Sequence, residues 1–193
     1  MIPFEKDTFI PQQILKLKEQ YDIKLVIETG TQYGYTTNWF AGNFDKVVTI
    51  EADHNSYVIS RKILAERVNV TSVHGKSEST LIGVIKQAKT EAISPAGKIL
   101  FYLDAHGCEI GGTALVEELR IIGQLAPESI VLIHDFKNPL LPHAGYDSYD
   151  GIDLDMNLIE PYLADIYPNG YDASYNTECN GANRGIIYLT PAK

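Results

Sequence analysis

The 193-residue sequence predicts an α/β fold, in which a seven-stranded, mostly parallel sheet has helices on both faces and an antiparallel C-terminal strand. Through most of the chain, short apolar runs alternate with longer segments of helical periodicity, and this alternation is typical of a parallel sheet. Near the C-terminus, two apolar runs follow one another with a loop at 177–184 and no helix between them. The last strand should therefore return antiparallel, because a parallel connection needs a longer crossover.

Five apolar runs predict the parallel strands, and two further runs predict the terminal pair. These strands are expected at 24–28, 46–51, 68–73, 99–103, 129–133, 172–176 and 185–190. The segments between them have apolar residues at helical spacing. Helices are expected at 10–21, 35–41, 55–66, 78–92, 113–124 and 154–167. The whole chain is predicted to be one domain, with an N-terminal helical segment at 1–22 and a core at 24–190.

Composition and charge argue against several classes of protein. The formal net charge is −9, and an acidic surface disfavours non-specific binding to nucleic acid or to an anionic membrane. The N-terminus lacks the basic start and apolar core of a signal peptide, and no apolar run approaches the roughly 20 residues of a membrane helix. Two cysteines, Cys108 and Cys179, do not make a disulfide framework. We therefore expect a cytoplasmic protein that binds neither nucleic acid nor membrane.

The most informative stretch of the chain lies at the end of the first predicted strand. That strand ends in Glu28, and a turn with Gly30 and Gly34 leads into the next helix, while the second strand ends in Glu51. A strand, a glycine-rich turn, a helix and a second strand ending in an acid form a nucleoside-binding unit. The glycines let a ligand approach the backbone, and the second acid can accept hydrogen bonds from both ribose hydroxyls.

The spacing E-x-G-x-x-x-G, from Glu28 to Gly34, resembles motif I of the class I S-adenosylmethionine (SAM) methyltransferases, which have a Rossmann-like fold. In that family the first acid and the glycine turn hold the methionine end of SAM, and the second acid holds the ribose. The resemblance covers about 24–190 and implies that SAM contacts Glu28, Thr29, Gly30, Gly34, Tyr35, Thr36, Glu51, Ala52, Gly75, Ser77 and Asp104. A dinucleotide site has G-x-G-x-x-G, so the spacing counts against an NAD-dependent dehydrogenase.

Ser77 has two interpretations at this stage. In related methyltransferases the loop after the third strand touches the adenine, often through a small polar side chain, and Ser77 matches that position. Ser77 also precedes a helical run, and serine is a preferred N-cap residue. Both roles remain open from the sequence.

Two acids and two histidines follow the fourth and fifth strands: Asp104, His106, His134 and Asp135. Neighbouring acids are costly unless a cation, a proton or a donor compensates them, and Mg²⁺ or another divalent cation is one solution. The pattern resembles the metal-dependent small-molecule O-methyltransferases of the catechol and macrocin groups, which implies that Asp104 and Asp135 bind a metal. Phe136 departs from the catechol type, which has an amide ligand there. The alternative has no metal, with Asp104 on the SAM amine and Asp135 capping a loop.

The histidines and the later loops supply further candidates. His106 or His134 can act as general base, since the pKa of histidine lies near working pH, or can simply donate to a backbone carbonyl. The segment at 138–153 contains Tyr146 and is expected to be a substrate loop or lid. Arg184, in the loop at 177–184, is expected either to hold an anionic substrate group or to form a structural ion pair.

These residues favour SAM-dependent methyl transfer, with a small molecule as acceptor and oxygen as the methylated atom. An alternative enzyme on the same fold is a hydroxylase in which His106, His134 and an acid hold iron. A further alternative is a non-catalytic SAM-binding protein. The oligomeric state is not determined by the sequence, which is compatible with a homodimer.

Overall fold

The computed structural model describes residues 3–90, 98–105 and 114–193. The C-terminal end of the helix predicted at 78–92 lies outside these residues. So do His106, Cys108 and Thr113.

The described residues form nine strands, of which seven make one sheet. The strands are β1 (Leu25–Thr29), β2 (Lys46–Glu51), β3 (Val70–His74), β4 (Ile99–Leu103), β5 (Ile130–His134), β6 (Ser148–Tyr149), β7 (Ile152–Asp153), β8 (Tyr171–Tyr175) and β9 (Ile186–Pro191). The large sheet has the order β3-β2-β1-β4-β5-β9-β8, and β6 and β7 form a separate small pair. β1 to β5 are parallel, whereas β9 is antiparallel to both β5 and β8. The predicted sheet and its antiparallel last strand are confirmed.

A short turn at Pro3–Lys6 precedes the helices of the described ranges. These are α1 (Phe9–Tyr21), α2 (Tyr35–Asn43), α3 (His54–Ile63), α4 (Ser77–Thr90), α5 (Ala114–Leu125) and α6 (Met156–Ile166). Side-chain caps define two starts: Asp53 accepts from the backbone N–H of Ser56 at 2.7 Å, and Asp155 from that of Leu158 at 3.3 Å. None of the helices in the described ranges is long and apolar enough to span a membrane.

Both faces of the sheet are buried, which explains the continuous apolar runs of its strands. On one face, Ile27 and Phe101 pack with residues of α4, α5 and α6. On the other, Val26 and Leu100 pack with residues of α1 and α2. Successive residues of a strand point to opposite faces, so neighbours such as Val26 and Ile27 are both fully buried. The carboxyl ends of the parallel strands form the edge where a ligand can bind.

One strand is shorter than predicted. β3 begins at Val70, whereas Val68 is fully exposed at 102%. The backbone N–H of Val70 donates to the carbonyl of Arg67 at 3.1 Å, so residues 67–70 form a turn before the strand. The apolar pattern alone does not distinguish a valine in such a turn from a valine in the strand.

Candidate functional site

A cavity of about 960 Å³ lies at the carboxyl ends of the parallel strands. Its wall includes these residues expected from the sequence: Gly30, Tyr35, Thr36, Glu51, Ala52, Gly75, Ser77, Asp104, His134 and Asp135. Other expected residues are absent from the wall, namely Glu28, Thr29, Gly34, Tyr146 and Arg184. His106 lies outside the described residues. The topology therefore brings most of the expected site together, but not all of it.

The glycine turn is required by the backbone and by packing. Gly30 has φ +81, and a Cβ there would lie 2.3 Å from the carbonyl oxygen of Asp104. Gly34 has φ +80, and its Cβ would lie 3.1 Å from the Cβ of Ser60 in α3. L-residues with side chains rarely adopt such φ values. The expectation that a side chain at Gly34 would fill ligand space is corrected, because it would meet α3 instead.

Glu28 is buried inside the protein, with 1% of its surface exposed. The hydroxyl of Thr37 in α2 and that of Thr49 in β2 both donate to its Oε2, the latter at 2.6 Å. Burial raises the pKa of Glu28 to about 8, against the effect of these two hydrogen bonds. Its carboxyl group therefore joins β1 to α2 and β2. Glu28 does not line the cavity, so its expected contact with the methionine end of a cofactor stays a prediction.

Glu51 lies on the cavity wall in a fixed orientation. Its Oε2 accepts the backbone N–H of Gln32 at 2.6 Å, and its Oε1 accepts that of Asp53 at 2.8 Å. Each carboxylate oxygen has a second lone pair, so the group can still accept hydrogen bonds from a ligand. Two adjacent acceptors held in this way match two neighbouring hydroxyl groups.

Ser77 is the first residue of α4 and lies on the cavity wall with 4% exposed. The carbonyl of Lys76 accepts the first helical hydrogen bond, from the N–H of Thr80 at 3.0 Å. Lys76 thus occupies the N-cap position, and the N-cap interpretation of Ser77 is wrong. The hydroxyl of Ser77 remains a candidate for contact with a ligand.

Asp104, His134 and Asp135 form one cluster on the wall. The Nδ1 atom of His134 lies 3.4 Å from Oδ1 of Asp104 and 3.2 Å from Oδ1 of Asp135. One potential ligand atom from each of the three residues lies within 4.8 Å of the others, as in a metal site. Parallel register explains this meeting, since Leu103 pairs with Ile133 in the strands that precede the two acids.

The charges of this cluster are strongly coupled. Burial works to lower the pKa of His134, but the charges of Asp104 and Asp135 outweigh it and raise that pKa well above its usual value. Burial works to raise the pKa of Asp135, but His134 and Arg184 hold it well below its usual value. The raised pKa favours the imidazolium form of His134, which lies between two carboxylates. A protonated imidazole cannot accept a further proton, which counts against His134 as general base.

Arg184 and Tyr146 do not line this cavity, although Arg184 contacts Asp135 on its wall. Nε of Arg184 donates to Asp135 and Nη2 donates to Asp147, so the guanidinium forms the structural ion pair that was one of its two expected roles. The ion pair with Asp147 joins the residues before β9 to the segment at 145–147. A backbone hydrogen bond joins the same two segments, since the N–H of Gly145 donates to the carbonyl of Asn183 at 2.8 Å. Tyr146 lines a separate cavity of about 420 Å³ together with Met156, Tyr175 and others.

The N-terminal turn is part of the wall and was missed by sequence reasoning. Phe4, Glu5 and Lys6 line the cavity together with Ala182. The ring of Phe4 packs edge-on against Trp39 at 5.0 Å between centroids, and the carbonyl of Glu5 accepts the N–H of Ala182 at 3.2 Å. The one feature of the sequence that could have indicated a role for this turn is the apolar residue Phe4 ahead of α1. Nothing local indicates that it packs beside the glycine turn.

The strand order, the antiparallel β9 and the cavity at the carboxyl edge describe a Rossmann-like fold with an antiparallel last strand. No family model matches this chain, and no curated protein matches it. Solved structures, by contrast, match it along nearly its whole length.

An O-methyltransferase from Bacillus cereus, in complex with S-adenosylhomocysteine (SAH), is 15% identical with a TM-score of 0.60, covering 96% of this chain and 81% of that one. An rRNA methylase from Streptococcus thermophilus is 16% identical with a TM-score of 0.59, covering 95% and 96%. A SAM-bound amino pentose methyltransferase from Micromonospora echinaspora is 12% identical with a TM-score of 0.58, covering 94% and 91%. These likenesses establish a shared fold.

Proposed function

We propose that this protein is a SAM-dependent methyltransferase that methylates an oxygen atom of a small molecule. The observation that supports it most is Glu51, whose two carboxylate oxygens are held by the backbone N–H groups of Gln32 and Asp53 beside the turn at Gly30. That arrangement suits the two ribose hydroxyls of a nucleoside cofactor. The SAM- and SAH-bound structures of the same fold support the choice of cofactor.

The charge of the cavity also suits SAM, which has a sulfonium and an ammonium group. Acids on the wall include Glu51, Asp53, Glu78 and Asp104. Opposite charges attract across a ligand interface and orient the ligand. In this proposal Glu51 binds the ribose, Gly75 and Ser77 lie beside the adenine, and Gly30 and Asp104 face the methionine end.

The acceptor oxygen would lie beside Asp104, His134 and Asp135. Methyl transfer requires that donor and acceptor be aligned and that one proton leave the acceptor. His134 is already protonated, so we assign proton acceptance to Asp104, the most exposed member of the cluster at 28%, against 16% for Asp135 and 4% for His134. Arg184 and His134 keep Asp135 ionised. The role of His106 stays a prediction.

A divalent cation fits the same cluster. Asp104, His134 and Asp135 each offer one ligand atom. A mixed set of oxygen and imidazole ligands suits Mn²⁺, Fe²⁺ or Zn²⁺, whereas Mg²⁺ would bind to the carboxylate oxygens. Phe136 is fully buried and offers no ligand atom. A bound cation would lower the pKa of an acceptor hydroxyl. The imidazole of His134 could bind the cation only after losing its proton, so the cation and the proton would compete for the same nitrogen atom.

The other expectations are retained as parts of the proposal. A small-molecule acceptor is favoured over RNA by the net charge of −9, although one similar structure is an rRNA methylase. A cytoplasmic location also stays part of the proposal, because the two cysteines do not make a disulfide framework. The iron-dependent hydroxylase needs His106 as second histidine, and the described residues supply only His134 to the cluster.

Isothermal titration calorimetry with SAM, SAH and NAD tests the cofactor. We expect SAM and SAH to bind and NAD to fail, and Glu51→Gln to weaken SAH about 10- to 100-fold through loss of hydrogen bonds to a charged group. Glu160→Gln, on the exposed side of α6, is the matched control and should bind as the wild type does. Binding of NAD without SAM or SAH would refute the proposal.

A further inference from the structure

Glu118 lies on the core-facing side of α5. Leu115, Leu119 and Ile122 share that side at helical spacing, and all four residues are 0% exposed. A carboxyl group at such a position is costly unless it is paired or kept neutral. This position was visible in the sequence as an acid within an apolar stripe, yet no part of the proposed methyl transfer uses it.

The surroundings of Glu118 connect it to the cavity. Ala114, one turn earlier on the same side of α5, lines the cavity wall, so Glu118 lies one turn behind that wall. The side chains of Ser77 and Thr29 interact with its carboxyl group. Among the described residues, neither oxygen of Glu118 nor Oγ1 of Thr29 has a hydrogen bond of ordinary geometry. The buried carboxyl group of Glu118 therefore lies behind the cavity wall, close to the hydroxyls of Ser77 and Thr29.

No cation among these neighbours compensates a charge on Glu118. Burial raises the pKa of Glu118 to about 7, the hydroxyls of Ser77 and Thr29 moderate that rise, and the acids Glu78 and Asp104 add to it. The carboxyl group is therefore about half neutral at pH 7 and largely neutral at pH 6, and its neutral form has one O–H that can donate and one oxygen that can accept.

We infer that Glu118 is a positioning residue, whose carboxyl group sets the direction of the Ser77 hydroxyl toward the base of a bound nucleoside. The inference rests on the proposed function. When the O–H of Glu118 donates to Oγ of Ser77, the proton of Ser77 is directed into the cavity, toward an acceptor nitrogen of a purine. When Glu118 is ionised, its carboxylate can only accept hydrogen bonds. The hydroxyl of Ser77 then donates to Glu118, and the purine loses its hydrogen-bond donor.

SAH binding by calorimetry tests this at pH 6 and pH 8.5. Glu118→Gln keeps a neutral donor and acceptor, so its affinity for SAH should stay within about twofold of the wild type at pH 6 and should not change with pH. Glu118→Leu keeps the size of the side chain but loses both functions, and should bind about tenfold more weakly, the value of one net hydrogen bond. Wild-type affinity should fall about tenfold between the two pH values. Glu117→Gln, exposed on the same helix, is the control and should follow the wild type.

A double-mutant cycle separates positioning from a general packing effect. In the Ser77→Ala background, Glu118→Leu should cause no further loss of SAH affinity, because the hydroxyl that it orients is gone. Equal binding by wild type and folded Glu118→Leu, or a pH dependence unchanged in Glu118→Gln, would overturn the inference. Should Glu118→Leu fail to fold, the pH profile of Glu118→Gln decides alone. Absence of SAH binding by the wild type would overturn the proposed function itself, and this inference with it.

Discussion

The buried carboxyl of Glu28 should make the protein less stable as pH rises. Its pKa is about 8 in the folded protein and 4.5 as the reference value for the unfolded chain. The folded state therefore binds the proton more tightly than the unfolded state does. Stability from this group is fully present below pH 4.5 and is lost as pH rises through about 8.

The magnitude follows from the two pKa values. A tenfold difference in proton affinity corresponds to about 1.4 kcal/mol. The interval from 4.5 to about 8 then corresponds to roughly 5 kcal/mol between acid and alkaline conditions. Glu118, with a pKa of about 7, adds a change of the same sign and of roughly 3 kcal/mol. Both are large against a typical domain stability of about 5–15 kcal/mol.

Glu28→Gln is the perturbation that isolates this effect. The amide cannot ionise, and its oxygen can still accept hydrogen bonds from Thr37 and Thr49, as Oε2 of Glu28 does. Urea unfolding followed by circular dichroism, from pH 5 to pH 9, should show a shallower decline of the unfolding free energy in the variant. Glu19→Gln, on the exposed side of α1, should keep the wild-type slope. A slope in Glu28→Gln equal to that of the wild type would refute the reasoning.

Three other variants and treatments give definite expectations. Gly30→Ala should lower the free energy of unfolding by at least about 2 kcal/mol, because φ at this position is +81 and the new Cβ would lie 2.3 Å from the carbonyl oxygen of Asp104. Thermal denaturation measures this loss, and an unchanged melting temperature would contradict it. With labelled SAM and 3,4-dihydroxybenzoate as probe acceptor, Asp104→Asn should lower turnover far more than SAH affinity. An equal loss of both would show that Asp104 contributes only to cofactor binding and would remove it as the proton acceptor. Chelator should lower wild-type turnover, with recovery on Mg²⁺ or Mn²⁺, and should leave Asp135→Asn unaffected; indifference of the wild type to chelator would remove the cation from the proposal.

Local sequence patterns were sufficient to predict the cavity residues that directly follow or end the parallel strands. Glu51, Asp104 and Asp135 were expected at one edge because parallel strands end there, and all three line the cavity. The motif predicted that both Glu28 and Glu51 contact the cofactor, since both end an apolar strand. Only packing separates them: Glu28 is enclosed by Thr37 and Thr49, whereas backbone N–H groups hold Glu51 toward the cavity.

Contacts between distant segments were beyond the sequence patterns. The pairing of Arg184 with Asp135 and Asp147 spans 49 and 37 residues, and the N-terminal turn meets Ala182 across most of the chain. Hydrophobic periodicity describes which face of an element is buried, but it does not describe which polar side chain meets which. Ion pairs of this kind depend on the loops that follow the strands, where no period exists.

The sequence by itself determined the order of strands and helices, the antiparallel last strand and the edge of the sheet at which the cavity lies. Those features follow from apolar periodicity and turn residues, which act within a few residues of one another. The tertiary structure alone decided which acids are buried with a raised pKa, such as Glu28 and Glu118, and which have a lowered pKa, such as Asp135 beside Arg184. The ionisation of a carboxyl group depends on its solvent exposure and on charges within a few ångströms, and both are set only when distant segments pack together.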